Sequence, residues 1–351
     1  MEAEQRFHAE RRPEGRAVGA RKGFSEKGLT FSGESDRVEP CFDGNTETSG
    51  ELRSRFLSLS GGFMIDKLIL RFILRMPGFS PTVAKVFEVC NRPETSSHDL
   101  NRVISLDPVL TGRVMKLVNS AYYSLGQEVT SLIHAIILLG LNTVKNLALS
   151  TAVLGSIGGK DSFRSLSMDD FWVHSLGVGV IGRSFARQTG VPAMEQEEYF
   201  VAGLLHDLGK IPLNHCYPEK YNSALEAVIT ERVSLREAEK IVFGVDHCTV
   251  GGMIAEKWRL HRNFSDVCLY HHDPEAGRSD NRRFISIVAL ANCYANYWNI
   301  GAAGDAPPQT ALVERLQKAV GLDPARIATI REKVMEDIDN ARIFLQVATE
   351  G

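Results

Sequence analysis

From about residue 64 onward, apolar residues recur at helical spacing, and the start and stop signals of helices fall where that period begins and ends. Ser80-Pro81 supplies an N-cap and a proline at the first helical position of TVAKVFEVC, and Asp107-Pro108 repeats the device ahead of VLTGRVMKLVN. Thr130-Ser131 opens LIHAIILL, Gly140 closes it, and Asn142 starts TVKNLALSTAVL. In MDDFWVHSLGVGVIGRSFARQTG, one stripe holds Phe171, His174, Val178, Ile181 and Phe185, and Gly190 ends the run. Ser234 and Glu237 have capping-box spacing ahead of KIVFG. ISIVALANCYANYW places Ile285, Val288, Asn292 and Ala295 on one face, so His174 and Asn292 both point inward. No β-branched alternation bounded by hairpin turns appears, and no solenoid repeat. The expected fold class is all-α, a multi-helix bundle.

Residues 1–62 read differently. Arg, Glu, Gly and Ser dominate and the apolar residues stand singly, so this segment is expected to be disordered. Met64 directly precedes the first amphipathic run, MIDKLILRFIL, and is a second candidate start of the chain. The rest divides into an N-terminal helical half over 63–160, a second half over 161–300 that carries the histidines, and a tail over 301–351. The tail holds a Gly/Ala/Pro-containing linker, Gly301 to Pro308, and two helical runs, the last from Pro324 to Val347. Val334, Ile338, Ile343 and Leu345 give that last run a partly apolar face, expected to pack on its own bundle.

Composition removes several classes of function. The 351 residues carry a net charge of −3, so no global positive field is available to hold nucleic acid or an anionic membrane, and neither partner is expected. The most apolar stretches, Ser131–Gly140 and Leu147–Ile157, fall short of the roughly 20 residues of a spanning helix. The six cysteines form no C-x-x-C pair, which argues against a zinc ribbon or a disulfide framework and for a reducing, cytoplasmic location.

His174, His206, His215, His247, His261, His271 and His272 crowd into one hundred-residue stretch. His206-Asp207 ends an apolar helical run, with Gly209 and Lys210 behind it; His247 starts a helix and His271-His272 ends another. Crossing helices can bring such groups to one interior point, as in the metal sites of helical bundles. Neutral imidazoles with one or two carboxylates suit Mn, Fe, Co, Ni or Zn, as one or two divalent ions. Asp207 can bridge two ions, and Lys210 can neutralise charge on phosphate oxygens, which makes these two the candidate catalytic residues. Plainer readings stand beside this one. His174 alone suits a hydrogen-bonded core histidine, His206-Asp207 a helix C-terminus, and His271-His272 solvated helix-end cations. His215 and His261 look peripheral, and Cys248 and Cys293 read as small packing residues.

The stretches HSLGVGVIGRSFARQTG, FVAGLLHDLGKIPLNHCYPEKY, VFGVDHCTVGGMIAEKW and YHHDP resemble the HDOD module of bacterial signalling proteins, an all-α relative of the HD metal-dependent phosphohydrolases. The segment from Ser80 through Val153 resembles that family's N-terminal helical half, so the likeness covers about residues 70 to 300 and makes 161–300 an HD-like half. The resemblance implies metal ligation by His174, His206 and Asp207, with Lys210 as the lysine of the H-D-x-G-K run. Similarity to the HD-GYP phosphodiesterases adds His247, His271 and His272 as ligands. Asn292 stands where those enzymes have their final aspartate, and HHDPEAGRSD replaces their Gly-Tyr-Pro signature. Asn292 stays a candidate metal ligand through its amide oxygen, which carries no charge and weakens that side of the site, and loss of the Gly-Tyr-Pro loop removes the feature tied to cyclic dinucleotides, so hydrolysis of cyclic di-GMP is not expected. The implied function is a regulatory, signal-transducing module with a His/Asp metal pocket and weak or no catalysis. The alternative is a metal-dependent phosphohydrolase or phosphodiesterase acting on a nucleotide-like phosphate ester. The expected partner is a protein of a signalling pathway or a small phosphorylated ligand.

Overall fold

The computed structural model describes residues 66–157 and 165–349, apart from residues 91 and 93. The expected disorder of 1–62 and the candidate start at Met64 lie outside those residues. Among the described residues every regular element is helical, in the order α1 (Lys67–Arg75), α2 (Pro81–Cys90), α3 (Ser97–Ile104), α4 (Pro108–Val118), α5 (Leu132–Leu139), α6 (Leu141–Ile157), α7 (Met168–Gln188) and α8 (Ala193–Leu205). There follow α9 (Lys210–Cys216), α10 (Pro218–Thr230), α11 (Leu235–Phe243), α12 (His247–Lys257), α13 (Arg262–Tyr270), a 3₁₀ turn at Pro274–Ala276, α14 (Arg282–Tyr297), α15 (Thr310–Val320), α16 (Pro324–Ala341) and α17 (Ile343–Thr349).

The capping chemistry acts as the sequence predicts. Asp107 accepts from the Leu110 amide at 2.9 Å, Ser131 from His134, and Ser234 and Glu237 form a reciprocal capping box. Two boundaries differ from expectation. Gly140, at φ +85°, closes α5 and lets α6 begin at once at Leu141 rather than at Asn142. The last run breaks at Arg342, whose carbonyl accepts a tight i→i+3 bond from Leu345, so that Phe344 turns inward against Tyr122 and Phe200 at ring-centroid distances of 5.3 and 4.8 Å.

Helix α7 is the axis of the second half. It packs on α8, α14 and α16, and its stripe from Phe171 to Phe185 is buried along its length. Helix α6 packs on α2 and α4 of the first half and on α8 of the second, which joins the two halves through one continuous core. The first and last described helices each pack on the opposite half. Helix α1 lies on α9 and α12, tied by Tyr217 Oη donating to Asp66 at 2.7 Å and Trp258 Nε1 donating to Pro77 O at 3.1 Å. Helix α17 lies on α4 and α6, so the tail packs on its own bundle. No single helix among the described residues is long and apolar enough to cross a membrane; α5 and α6 pass only jointly, as a pair bent by 116°.

Helices α7 and α8 approach until their backbones touch. A Cβ on Gly203 would lie 2.4 Å from the Gly179 nitrogen, and one on Gly179 would lie 2.6 Å from Phe200 O. This approach sets the separation between His174 on α7 and the His206-Asp207 pair after α8. Gly203→Ala would gain about 1 kcal/mol of helix propensity, whereas overpacking against backbone costs about 1–3 kcal/mol or more. The expected outcome is net destabilisation in urea unfolding; a variant as stable as the parent would mean that the two helices separate freely.

Candidate metal centre

The centre begins where α8 stops. His206 caps the helix, and tight turns through Leu208, Lys210 and Ile211 reverse the chain into α9. The glycine of the HDLGK run has a steric cause: a Cβ on Gly209 would sit 1.9 Å from His247 O and 2.5 Å from Gly251 N. Only glycine lets the N-terminus of α12 press against this turn, and that contact carries His247 to Asp207. His271 and His272 arrive from the end of α13, and His174 and Asn292 from the inward stripes of α7 and α14.

Hydrogen bonds orient three of the rings. A carbonyl or carboxylate oxygen only accepts, so the Nδ1 facing it carries the proton. Nδ1–H of His206 donates to Gly203 O at 2.7 Å, that of His247 to Glu239 Oε2 at 2.5 Å, and that of His271 to Val267 O at 2.9 Å. Glu239, fully buried, also accepts from the His247 amide at 2.8 Å and from Tyr221 Oη at 3.2 Å. Each Nε2 therefore turns inward. The Nε2 atoms of His247 and His271 lie 3.4 Å apart, and those of His247 and His272 3.1 Å apart. Asp207 Oδ1 is 3.5 Å from both His247 Nε2 and His271 Nε2, and its Oδ2 is 3.2 Å from His206 Nε2.

Lone pairs held face to face at such distances repel unless a proton or a metal ion lies among them. Donors about 2.0–2.2 Å from a transition metal are about 3.0–3.6 Å from each other, the spacing found here. His206 Nε2 and Asp207 Oδ1 are also wholly buried with no partner in hydrogen-bond geometry. The residues thus fit a divalent transition metal. Two groups offer donor atoms within 4.8 Å of one another: His174, His206 and Asp207, and His247, Cys248, His271 and His272. Asp207, with one oxygen toward each group, stands between them.

Two expected members are engaged elsewhere. His174 meets Ile300 O through Nδ1 at 3.3 Å and the Asn292 side chain through Nε2 at 3.0 Å, so ligation by His174 would require Asn292 to release it. Lys210 has no exposure, and its ammonium spans Asp207 Oδ2 at 2.7 Å, Asp305 Oδ2 at 2.6 Å and Ala303 O at 3.0 Å. All three of its N–H groups are taken. Glu239 and Asp305 were not among the residues singled out from the sequence: one sits inside a helix eight residues before His247, the other in the Gly301–Pro308 linker. His215 and His261 are exposed, as expected. The five described cysteines are free, with Cys248 buried beside the histidines. In a separate cleft lined by Tyr123, Arg183, Ser184, Arg187 and Glu197, Glu197 accepts from Tyr123 at 2.9 Å and from Arg183 at 3.2 Å.

Burial pushes the pKa values of His174 and His271 down to about 4 and moves that of His272 the same way, so these rings are neutral. Burial opposes the His247 proton as well, but Glu239 outweighs it and the pKa lies well above 6.5. Burial would raise Asp207 and Asp305; His206 and Lys210 hold Asp207 well below the usual range, and Lys210 brings Asp305 to about 2. The folded protein therefore binds fewer protons than the unfolded chain at His174 and His271 between pH 6.5 and about 4. The stability they contribute is present above pH 6.5 and is lost as pH falls through that window, on the order of 3 kcal/mol each. His247 contributes in the opposite sense, its share being lost only as pH rises above 6.5. Chelator-treated protein should unfold at a lower temperature at pH 4.5 than at pH 6.5; an equal or higher midpoint at pH 4.5 would mean that these rings are not buried as neutral bases.

Comparison with known proteins places this geometry in a family. The model of the HDOD domain matches residues 76–274. A crystal structure of an HDOD domain protein with unknown function from Geobacter sulfurreducens is 27% identical with a TM-score of 0.66, over 86% of this chain and 99% of that one. A structure from Shewanella amazonensis SB2B, named "Putative phosphohydrolase", shares the fold at 21% identity and a TM-score of 0.61, over 81% and 98% of the two chains. An uncharacterized protein of Treponema pallidum is 24% identical over 217 residues, which span 62% of this chain but only 41% of that relative's length. With its matched segment covering more than half of the sequence, the chain belongs to the HDOD domain family.

Proposed function

We propose that this protein is a regulatory HDOD module of a signal-transduction system, in which the His/Asp centre is a metal-binding structural or sensing element with weak or no catalysis. The observation that carries this reading is the closure of the centre. His206, Asp207, Lys210 and His247 have no exposure, and the segment from Ile300 to Asp305 is bonded to His174 and Lys210 of the same cluster. A hydrolase acting on a phosphate ester needs an open approach to its metal and a cation free to meet phosphate oxygens. Lys210, the cation best placed, spends its three hydrogens on Asp207, Asp305 and Ala303. A bound divalent ion would supply Lewis acidity and fixed positive charge. Around it, Glu239, Gly203 and Val267 hold the imidazoles in one tautomer, and Lys210 anchors the covering segment. In this reading the module passes the state of its centre to a protein partner in a signalling pathway, or senses a small phosphorylated ligand.

One observation favours the alternative, a metal-dependent phosphohydrolase or phosphodiesterase. His272 keeps 23% of its side chain exposed, an edge through which an anionic ligand could reach the centre once the covering segment moved. Elemental analysis of untagged protein and turnover of bis-p-nitrophenyl phosphate with added Mn²⁺ separate the two. The regulatory reading expects one or two equivalents of a transition metal, lowered by His206→Ala, with turnover at background. Turnover that requires metal and disappears in Asp207→Asn would move the assignment to the hydrolase.

A further inference from the structure

The segment after α14 is built to lie over the centre. Gly301 adopts φ +59°, and a Cβ there would come within 2.3 Å of Asp170 O and 2.4 Å of His174 N. Gly304 adopts φ +86°, with Leu225 only 2.6 Å from where its Cβ would be. Between them the Ala302 amide donates to Asp170 O at 3.1 Å, and Ala303 O accepts from Lys210. Two glycines in the left-handed region thus pin the segment between the start of α7 and α10. The residue it delivers is Asp305, whose side chain is only 8% exposed.

The two buried carboxylates are arranged alike. Asp207 and Asp305 each give Oδ2 to the Lys210 ammonium, at 2.7 and 2.6 Å, and each turns Oδ1 toward the imidazoles. Asp207 Oδ1 is 3.5 Å from the Nε2 atoms of His247 and His271, and Asp305 Oδ1 is 3.8 Å from His272 Nε2. With the three inward Nε2 atoms this makes five neighbouring donors, His271, Asp207, His247, His272 and Asp305, each 3.1–3.8 Å from the next, drawn from the α8–α9 turn, α12, the end of α13 and the loop after α14. Three buried carboxylates, Asp207, Asp305 and Glu239, less the Lys210 ammonium leave two negative charges for a divalent ion when His247 is neutral, while Asn292, bonded to His174 and Asn296, supplies no charge. Resting on the metal-binding reading above, we propose that Asp305 is a ligand of the ion held by Asp207, His247, His271 and His272, so that the ion and the covering segment lock each other in place. Lys210 acts as a positioning residue that aims both carboxylates.

The test is a competition titration of untagged, chelator-treated protein with Zn²⁺ and Co²⁺ against a chromophoric chelator, comparing the parent with Asp305→Asn. Asparagine can still accept from Lys210, so loss of the ligand is separated from loss of that bond. Affinity should fall by about tenfold or more, with a changed Co²⁺ visible spectrum. Equal affinity and an unchanged spectrum would overturn the proposal. If the parent itself takes up neither ion, the metal-binding reading has failed, and this proposal with it. If Asp305→Asn does not fold, hydrogen exchange in the parent decides: the Ala302 amide should exchange about tenfold more slowly with Zn²⁺ than without, by the same coupling of ion to segment. Indifference to the ion would overturn the proposal.

Discussion

A single buried carboxylate governs the second half of this molecule. Asp207 has no exposure, and an ionised carboxyl withdrawn from water costs many kcal/mol unless opposite charge surrounds it. Its surroundings read as the answer to that cost. Lys210 lies one turn further on, His206 beside it, His247 and His271 reach its other oxygen, and Asp305 offsets the lysine in turn. Removing any one of these charges leaves the others unbalanced in a medium that screens them poorly. The helices that carry them are therefore held to one arrangement more strictly than their apolar faces alone would require.

Meeting that requirement needs backbones closer than ordinary side chains allow. Gly179 with Gly203 and Gly209 with Gly251 supply the two approaches, one between α7 and α8, the other between the α8–α9 turn and α12. The first lies where α7 and α8 are buried along most of their length, so the charged cluster sits on helices packed into the core. The exception is the segment from Ile300 to Asp305. It is tied down by polar bonds to His174 and Lys210 as well as by Ile300 and Ala303 in the core, so its position depends in part on the charge beneath it.

The orientation of the imidazoles follows the same logic at shorter range. An inward Nε2 is useful to a cation only if Nδ1 keeps the proton, and each outer partner is an obligate acceptor: Gly203 O, Val267 O and the Glu239 carboxylate. Two of these are neutral helix carbonyls three or four residues back, Val267 O accepting the His271 amide as well. Glu239 differs, since it brings a negative charge into the interior, and Tyr221 and the His247 amide share the burden of solvating it.

Much of this architecture is written locally in the chain. Helix starts at Pro81, Pro108 and Leu132, the box at Ser234 and Glu237, the inward stripe of His174 and the helix ends at His206 and His271 all rest on interactions between residues within four or five positions of each other, which a linear string displays. The family likeness gathers the histidines as well. What tertiary structure decided lies at longer separations: Glu239 under His247, Asp305 on Lys210 at 95 residues, and Asn292 on His174 at 118. It also decided that α1 belongs with α9 and α12, and that α17 belongs with α4 and α6. A lone aspartate in a Gly/Pro linker carries no periodic signal, because its partner is chosen by how two glycines bend the chain in space and not by its neighbours in sequence.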